Sequence, residues 1–326
     1  MRTRSISGAG VSLTEIGFGA AAIGNLYSET SDQDAEEAVQ AAWRVGIRYF
    51  DTAPHYGLGL SERRLGQALK QFPRDEFVVS SKVGRLLVPN PHPTGRDSEG
   101  FAVADELRRE RDYSRNGVLR SIEATLARTG LDRLDVVFVH DPDEHWQQAA
   151  EEAIPLLADL RSQGAIGAIG VGMNQSPMLA RFLRETPVEL VMMAGRYTLL
   201  DQSGLGDALA TAAAEGKSVV AVGVFNSGIL ARPRPVLGAT FNYEAAPPEL
   251  IARANQIADI CEQHGTSLPA AAIAFPLAHP SVVNVTLGMR SVSEVEQNVS
   301  LYQSRVPPGL WSDLRAAGLL PPNAPC

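Results

Sequence analysis

The chain has 326 residues, of which 44% are hydrophobic and 20% are charged, and its formal net charge is −8 at pH 7. Such a composition is typical of a globular protein whose core folds without disulfides. The acidic balance repels phosphate backbones and argues against nucleic acid as a partner.

The cysteine pattern and the hydropathy place the protein in the cytoplasm. Cys261 and Cys326 form neither a disulfide framework nor a CxxC metal motif, which suits a reducing compartment. The N-terminal MRTRSISGAG lacks the apolar segment of a secretion signal. Because no apolar run approaches the roughly 18 residues of a membrane span, we expect no membrane association.

Short apolar runs alternate with helical patterns along the chain. The predicted strands are 13–19, 46–51, 76–82, 134–140, 166–171, 188–193, 217–223 and 282–287. The predicted helices are about 32–45, 60–70, 114–129, 148–163, 176–185, 203–215, 248–264 and 292–303. Apolar runs with little alternation indicate parallel strands covered by helices. Eight such units favour a closed barrel, so the sequence predicts one (β/α)8 TIM-barrel domain over residues 1–326.

Three segments interrupt the alternation. Residues 84–112 and 223–247 are predicted as long loops after the third and seventh strands, and residues 304–326 trail past the last helix. Loops of this length are uncommon unless they bind something. In a barrel both internal loops lie at the carboxyl ends of the strands, where active sites are built.

Ionisable residues end three successive predicted strands. Asp51 closes the second strand, Lys82 the third and His140 the fourth, and Tyr56 lies five residues past Asp51. Each residue alone has an ordinary explanation, such as a helix cap for the aspartate or a solvated charge for the lysine. Their joint placement at one end of the barrel predicts a shared site.

These four side chains suit hydride transfer to or from a carbonyl carbon. The carbonyl oxygen needs a proton donor as hydride arrives, and a phenol is a weak acid at neutral pH. We predict that Tyr56 is the acid or base and that the Lys82 ammonium lowers the pKa of Tyr56. Asp51 would hold Lys82 charged, and His140 would orient the substrate oxygen.

The stretch FDTAPHYGLGLSERRLGQAL resembles the second-strand region of the aldo-keto reductases. Lys82 at the end of VVSSK and His140 at the end of DVVFVH also match that family, and the resemblance covers about residues 13–303. It implies a (β/α)8 barrel. It also implies a catalytic tetrad formed here by Asp51, Tyr56, Lys82 and His140.

The cofactor region lies at the last predicted strand. No GxGxxG follows a strand, so a dinucleotide would bind without the Rossmann geometry. Gly288 precedes a helix that begins at Ser291 or Ser293, and free amide groups there suit a phosphate. The same spacing, with Glu294 after Ser291, also fits a plain capping box.

By its resemblance to the family's adenosine-phosphate site, this segment assigns Glu294 and Asn298 to the cofactor, and Arg290 could pair with a phosphate. Gly19 is a further cofactor candidate, and Asn174 matches a residue that binds the nicotinamide carboxamide in the family. NADP-preferring members carry a basic residue where Glu294 stands. A carboxylate would repel a 2′-phosphate, so we expect NAD, with NADP possible. The family's serine, glutamine and tyrosine at the nicotinamide are replaced here by Met173, Ala194 and Val222.

Several phrases, among them SKVGRLLVP, VHDPDEH and GVGMNQ, resemble the sugar dehydrogenases of this superfamily. The resemblance implies oxidation of the anomeric carbon of an aldose such as L-fucose to a lactone. Asp141, Asp143 and Trp146 are candidates for contacts with sugar hydroxyls and the ring. A solvated acidic turn explains the two aspartates equally well.

Three alternatives remain open on the sequence. One is a pyridoxal 4-dehydrogenase, which oxidises a cyclic hemiacetal in the same way, and another is an NADPH-dependent aldehyde or ketone reductase. The third is a non-catalytic nucleotide-sensing subunit on the same fold. Glu294 argues against the reductase and the intact tetrad against the sensor. The six histidines are scattered without ligand spacing, so no metal is expected.

Overall fold

The computed structural model describes residues 1–236, 238–242 and 244–325, so Cys326 lies outside the described residues. The described strands, β1 to β14 in chain order, are Thr3–Ser5, Ser12–Thr14, Ile16–Gly19, Tyr49–Asp51, Val78–Val83, Arg85–Pro89, Leu107–Arg111, Val136–His140, Ala168–Met173, Leu190–Ala194, Ser218–Val222, Thr240–Phe241, Glu244–Ala245 and Val282–Gly288. The described α-helices, α1 to α11, are Asp32–Arg44, Leu60–Leu69, Arg115–Thr129, Trp146–Gln148, Ile154–Ser162, Ser176–Glu185, Ala208–Ala214, Pro248–Gln263, Leu268–Leu277, Val292–Gln303 and Pro308–Ala316.

Eight of these strands form a closed parallel barrel. Their order around it is β3, β4, β5, β8, β9, β10, β11 and β14, which pairs back to β3. The predicted (β/α)8 class is therefore confirmed. The register places Gly19 beside both Asp51 and Gly288, and His140 beside Gly172, so the carboxyl ends of these strands share one mouth.

The interior of the barrel is packed below that mouth. Tyr49 and Phe138 lie there with residues of the N-terminal segment, including Ile6 and Leu13, in one buried cluster. Gly17 is needed beside them, because a Cβ there would lie 2.7 Å from the Tyr49 ring. The antiparallel pair β1–β2 precedes the barrel strands, and its residues help to fill the amino-terminal end.

Serine caps begin several of the helices. Ser31 and Ser114 accept backbone hydrogen bonds at the starts of α1 and α3, and Ser291 does so at α10. Each cap satisfies an amide that the first helical turn leaves unpaired. The α1, α3 and α10 helices therefore begin within one residue of the predicted positions.

Five elements, described below, were missing from the prediction. The loop predicted at 84–112 contains the antiparallel hairpin of β6 and β7, and β1 forms a second short hairpin with β2. The helix α9 was overlooked because nine of its ten residues are buried, which leaves no polar face to generate a helical period. The segment after 304 contains α11, whose Leu310 and Leu314 join the core.

The loop predicted at 223–247 is largely irregular, as expected; its described residues carry the two-residue strands β12 and β13 and a single 3-10 turn at Asn226–Gly228. None of the described helices is both long enough and apolar enough to cross a membrane.

Candidate active site

Three of the predicted residues meet at the mouth of the barrel. Asp51 ends β4, Lys82 lies near the end of β5, and Tyr56 follows in the loop after β4. The Lys82 Nζ donates to Asp51 Oδ2 at 2.7 Å and to the Tyr56 hydroxyl at 3.0 Å. Asp51 is 3% exposed and Lys82 2% exposed, so this chain of contacts is shielded from water.

Both ends of the Lys82–Asp51 pair are held by further bonds. The Lys82 ammonium also donates to the Thr52 carbonyl at 3.0 Å. The second oxygen of Asp51 accepts from Ser80 Oγ at 2.7 Å, and the Tyr49 hydroxyl lies 2.9 Å from that Oγ. A buried ion pair is stable only when its remaining polar atoms are satisfied, and this network meets that condition.

The balance of burial and charge sets the protonation of this pair. Burial lowers the pKa of Lys82, but Asp51 and Tyr56 outweigh it, so the pKa ends above its ordinary value. Burial raises the pKa of Tyr56 more than the Lys82 ammonium lowers it. From the sequence we expected the pKa of Tyr56 to be lowered overall. Lys82 acts in the expected direction, but desolvation of the phenolate is the larger effect.

The loop that carries Tyr56 is fixed by a close backbone approach. Gly57 has φ +60°, and a Cβ there would lie 2.2 Å from the Gly24 carbonyl oxygen. Ser61 Oγ donates to the Ala20 carbonyl at 2.8 Å and lies 2.8 Å from Thr52 Oγ1. Gly57 and Ser61 of the YGLGLSE stretch therefore position Tyr56 and take no part in the chemistry.

His140, the last residue of β8, also lies near Tyr56. The centroids of the two rings are 6.2 Å apart. Burial, reinforced by Arg85 and Lys82, lowers the pKa of His140 well below its ordinary value. The neutral imidazole has one donor and one acceptor, and its buried Nδ1 has no hydrogen-bond partner among the described residues.

A buried tyrosine fixes the backbone at His140. The Tyr113 hydroxyl donates to the carbonyls of His140 and Asp141 at 2.7 and 2.9 Å. Its ring packs on Gly84, which has φ +101° and whose Cβ would lie 2.1 Å from the ring. The glycine just after β5 is thus required by the tyrosine that orients the end of β8.

The β6–β7 hairpin and its tip form one wall of the mouth. Arg109 is buried in an ion pair with Asp97 and donates to the His55 carbonyl at 2.8 Å. The Phe101 ring lies 6.1 Å from the Tyr56 ring, and Arg85 contacts Asp141. Sequence reasoning missed these wall residues because the segment was taken for a polar loop. The segment RLLVP is rich in residues that are common in strands and could have indicated β6. The sequence of its partner strand β7, LRRER, gives no such indication.

The three predicted substrate residues are placed differently from one another. Asp141 lies at the mouth, with Oδ2 3.6 Å from His140 Nε2. Asp143 is partly buried, and its Oδ1 has no partner within the described chain. Trp146 instead packs on Phe182, with ring centroids 4.2 Å apart, and the Arg181 guanidinium lies over it at 3.7 Å. These contacts attach Trp146 to α6 in the helical layer.

The predicted cofactor residues gather where β14 leads into α10. Gly288 is exposed, and a Cβ there would meet nothing within 4 Å, so space is open above it. Ser291 accepts from the Glu294 amide at 3.3 Å, while a Glu294 oxygen accepts from the Arg290 amide at 2.8 Å. This is a reciprocal cap on the helix start, with Glu294 reaching the Arg290 amide. Asn298 is buried on the same helix.

Arg290 bridges to the loop after β3. Its guanidinium donates to Ser28 Oγ and to the Leu26 carbonyl. Gly19, at the end of β3, pairs with Gly288, so the two glycines lie side by side. Arg290 and the serine hydroxyls at the α10 start supply the donor chemistry that phosphate oxygens require.

Asn174 and the predicted loop after β11 lie elsewhere around the mouth, and the sequence did not single out Asn226 and Ser227 within that loop. Asn174 lines an open cavity of about 660 Å³ between the start of α6 and the loop after β10. After β11, Asn226 and Ser227 have φ of +45° and +58°. The buried Asn226 Oδ1 has no hydrogen-bond partner in the described ranges. Strained backbone with an unpaired buried amide oxygen marks a ligand-facing loop.

The hydrogen-bond donors at the start of α10 and the unpaired amide oxygen of Asn226 fit a nicotinamide dinucleotide. The donor set at α10 suits its phosphates, and the strand ends lead from there to Tyr56. No group of three or more His, Cys, Asp or Glu side chains in the described part of the chain is arranged to hold a metal ion.

The comparisons with known proteins agree with this geometry. Residues 15–317 match the model of the aldo/keto reductase family. The chain is 45% identical to D-threo-aldose 1-dehydrogenase from a Pseudomonas species over 317 residues, 96% of each chain. It is 36% identical to pyridoxal 4-dehydrogenase from Microbacterium luteolum over 335 residues, 97% of each chain.

Solved structures share the fold at lower identity. The holo form of an aldo-keto reductase from Bacillus halodurans superposes with a TM-score of 0.74 at 22% identity, over 98% of this chain and 97% of that one. A glycerol dehydrogenase from Gluconobacter oxydans gives a TM-score of 0.75 at 22% identity, over 96% and 94% of the two chains. The chain therefore belongs to the aldo/keto reductase family, whose oxidoreductases use nicotinamide cofactors.

Proposed function

We propose that this protein oxidises the anomeric carbon of an aldose such as L-fucose to the lactone, with NAD+ as the hydride acceptor. The contact chain from Asp51 through Lys82 to the Tyr56 hydroxyl, beside His140, carries the proposal. The 45% identity to a D-threo-aldose 1-dehydrogenase supports an aldose as the substrate. We place the reaction in the cytoplasm on one barrel domain, following the cysteine usage and the continuous family match.

Tyr56 is the base in this direction. The phenolate takes the proton of the anomeric hydroxyl while the C1–H bond breaks and the C1=O bond of the lactone forms. Because the pKa of Tyr56 is raised, only a fraction of the enzyme is in the active form at neutral pH, and the rate rises with pH. The Lys82 ammonium stabilises the phenolate at 3.0 Å, and Asp51 keeps that ammonium in place.

His140 orients the substrate oxygen toward Tyr56. The lowered pKa keeps its ring neutral, so the imidazole donates one hydrogen bond and carries no charge that would compete with Lys82. Its backbone is fixed by Tyr113, which leaves little freedom for the ring to drift from the reacting oxygen.

A nicotinamide cofactor bound at the mouth supplies the hydride acceptor. The residues that would hold it are Gly19, Asn174, Gly288, Arg290, Ser291, Glu294 and Asn298. Glu294 is 44% exposed at the start of α10, where its negative charge opposes a 2′-phosphate. This supports NAD over NADP.

The proposal is tested by initial rates of NAD+ and NADP+ reduction at alkaline pH. The panel is L-fucose, D-arabinose, L-galactose, D-galactose and pyridoxal. We expect NAD+-linked oxidation of at least one aldose, with kcat/KM higher for NAD+ than for NADP+. Absence of aldose oxidation, together with NADPH-driven reduction of simple aldehydes, would contradict it.

Pyridoxal oxidation is the second candidate, because the chain is 36% identical to a pyridoxal 4-dehydrogenase over nearly its full length. The cyclic hemiacetal of pyridoxal offers the same C–H and O–H to the same groups. Turnover of pyridoxal without any aldose would select this function. If the protein were a non-catalytic sensor, the wild type would show no turnover, and Tyr56→Phe would have no activity to remove.

A further inference from the structure

Arg85 is a largely buried cation at the mouth that the proposed chemistry does not use. It is the first residue of β6, and its side chain is 12% exposed. Its Nη2 bonds to Asp141 Oδ2, while its Nη1 lies 3.3 Å from His55 Nδ1 and 3.4 Å from Glu99 Oε2. The buried Nε has no hydrogen-bond partner among the described residues. A donor left unpaired in a nearly closed site is costly unless a ligand satisfies it.

The partner of Arg85 is held in a strained conformation. Asp141 has φ +43°, which is uncommon for a residue with a Cβ. Its amide donates to the Gly172 carbonyl at 2.9 Å, and Tyr113 donates to its carbonyl at 2.9 Å. The surrounding structure therefore enforces the strain, and strain of this kind collects where a side chain must be aimed.

The Arg85–Asp141 pair lies next to the nitrogen that would face the reacting oxygen. Asp141 Oδ2 is 3.6 Å from His140 Nε2. Oxygens on adjacent sugar carbons are about as far apart as two hydrogen-bonded atoms. When the C1 oxygen contacts His140, the hydroxyl on C2 comes within reach of the pair. The Asp141 carboxylate offers an acceptor there, and the Arg85 guanidinium, whose buried Nε has no partner among the described residues, offers donors.

We propose that Arg85, paired with Asp141, is a specificity-determining residue that recognises the hydroxyl on C2 of the aldose. This rests on the proposed function and adds the position on the sugar that is read. The charged donor and acceptor bind a hydroxyl that both accepts and donates. A substrate that lacks this hydroxyl leaves polar atoms of the pair without hydrogen bonds. The free-energy cost of those unsatisfied atoms lowers kcat/KM for that substrate.

The test compares D-arabinose with 2-deoxy-D-ribose, which is the same sugar without its C2 hydroxyl, and with D-ribose, its C2 epimer. Rates are measured for the wild type, Arg85→Gln and Arg85→Lys. The control is Arg108→Gln, an exposed arginine in the same hairpin that pairs with Glu110. Thermal melts show whether each variant is folded.

We expect the wild type and Arg108→Gln to prefer D-arabinose over the 2-deoxy sugar by about 10- to 100-fold in kcat/KM. In Arg85→Gln this ratio falls to within about threefold, because D-arabinose loses much more of its rate than the 2-deoxy sugar does. Arg85→Lys restores part of the ratio, since it keeps a donor but not the fork geometry.

Three results would overturn the inference. An unchanged ratio in both Arg85 variants would show that the C2 hydroxyl is read elsewhere. Equal loss on both sugars in folded variants would show a general structural role. A wild type that oxidises no aldose would remove the proposed function and this inference with it, whereas the first two results leave the proposed function intact.

Discussion

The mouth of the barrel has two sides that are built differently. On the β4–β5 side, Asp51, Lys82 and Tyr56 form a buried chain of contacts that is already complete. On the β14–α10 side, Arg290 and Glu294 are partly exposed and are engaged with the backbone and with the loop after β3.

This difference reflects what each side must do. The first side holds a charge pattern that water would weaken, so burial and multiple bonds fix it in advance. The second side must admit a large cofactor, so its groups stay near solvent. Substitutions on the β4–β5 side should therefore act on the chemical step, and those on the β14–α10 side on cofactor choice.

Lys82→Met should give the largest effect. Removing the ammonium leaves Asp51 buried without its partner and takes away the group that opposes the rise in the pKa of Tyr56. We expect kcat for oxidation to fall by about 10³-fold, or about 4 kcal/mol, and the ascending limb of its pH profile to move to higher pH. Steady-state rates from pH 7 to about 11.5, a range that extends above the ordinary pKa of a phenol, measure both.

The control is Lys70→Met, since Lys70 is exposed at the end of α2 and bonds only to Gln67 among the described side chains. A Lys82→Met enzyme with an unshifted pH limb would show that Lys82 does not act on the phenol.

Gly57→Ala tests whether the preassembled side depends on backbone fit. The residue has φ +60°, and the new Cβ would lie 2.2 Å from the Gly24 carbonyl oxygen. We expect a loss of about 3 kcal/mol in the free energy of unfolding and a lower kcat, because the loop must move and carries Tyr56 with it. Urea unfolding followed by fluorescence measures the stability.

Gly206→Ala is the matched control, because a Cβ there would meet nothing within 4 Å and its φ is negative. Equal stability of the two alanine variants would contradict the close approach at Gly57.

Glu294→Lys should act mainly on the choice of cofactor, although it also removes the cap that the carboxylate places on the Arg290 amide. Exchanging the carboxylate for an ammonium removes repulsion of a 2′-phosphate and adds attraction to it. We expect the ratio of kcat/KM for NADP+ to that for NAD+ to rise by about 10- to 100-fold, or about 1–3 kcal/mol, with little change in the pH limb. Glu296→Lys, on the same helix, controls for added charge. An equal rise in both variants would remove Glu294 from cofactor selection.

His55→Gln should give the smallest effect, on stability in acid. Burial, with Arg85 and Arg109 nearby, lowers the pKa of His55 to about 2, while the pKa of an unfolded histidine lies near its ordinary value of 6.5. Below pH 6.5 the unfolded state binds the extra proton, so stability falls with pH down to about pH 2. The substitution should flatten that fall by about 1.4 kcal/mol per pH unit.

Urea unfolding at pH 7, 6 and 5.5 measures the slope, with His92→Gln as the exposed control. If the free energy of unfolding fell equally with pH in the wild type and in His55→Gln, His55 would not be the group that resists protonation.

The barrel and its strand-end residues were predictable from the sequence. Apolar runs at regular spacing indicated the strands, and the carboxyl ends of parallel strands must share one rim, so Asp51, Lys82 and His140 were expected together. Tyr56 does not lie at a strand end. Its side chain reaches these residues through the glycine-containing loop after β4, whose geometry the YGLGLSE motif implied. What the sequence could not supply was the balance between burial and the Lys82 charge, which raised the pKa of Tyr56 instead of lowering it.

The wall of the site was not predictable in the same way. Arg85, Phe101 and Arg109 lie in a hairpin whose second strand has no apolar alternation, and their contacts join residues far apart in the chain. The helix α9 was overlooked for the opposite reason, because it is apolar on every side. In both cases tertiary contacts, rather than local pattern, decide the structure.

The central claim is that Tyr56 transfers the proton in a nicotinamide-linked oxidation. Its most direct test is single-turnover and steady-state kinetics of Tyr56→Phe beside the wild type on D-arabinose or L-fucose, with NAD+ binding measured by calorimetry. We predict a kcat at least about 10³-fold lower with NAD+ affinity unchanged within about threefold. Turnover by Tyr56→Phe within a few-fold of the wild type would contradict the account.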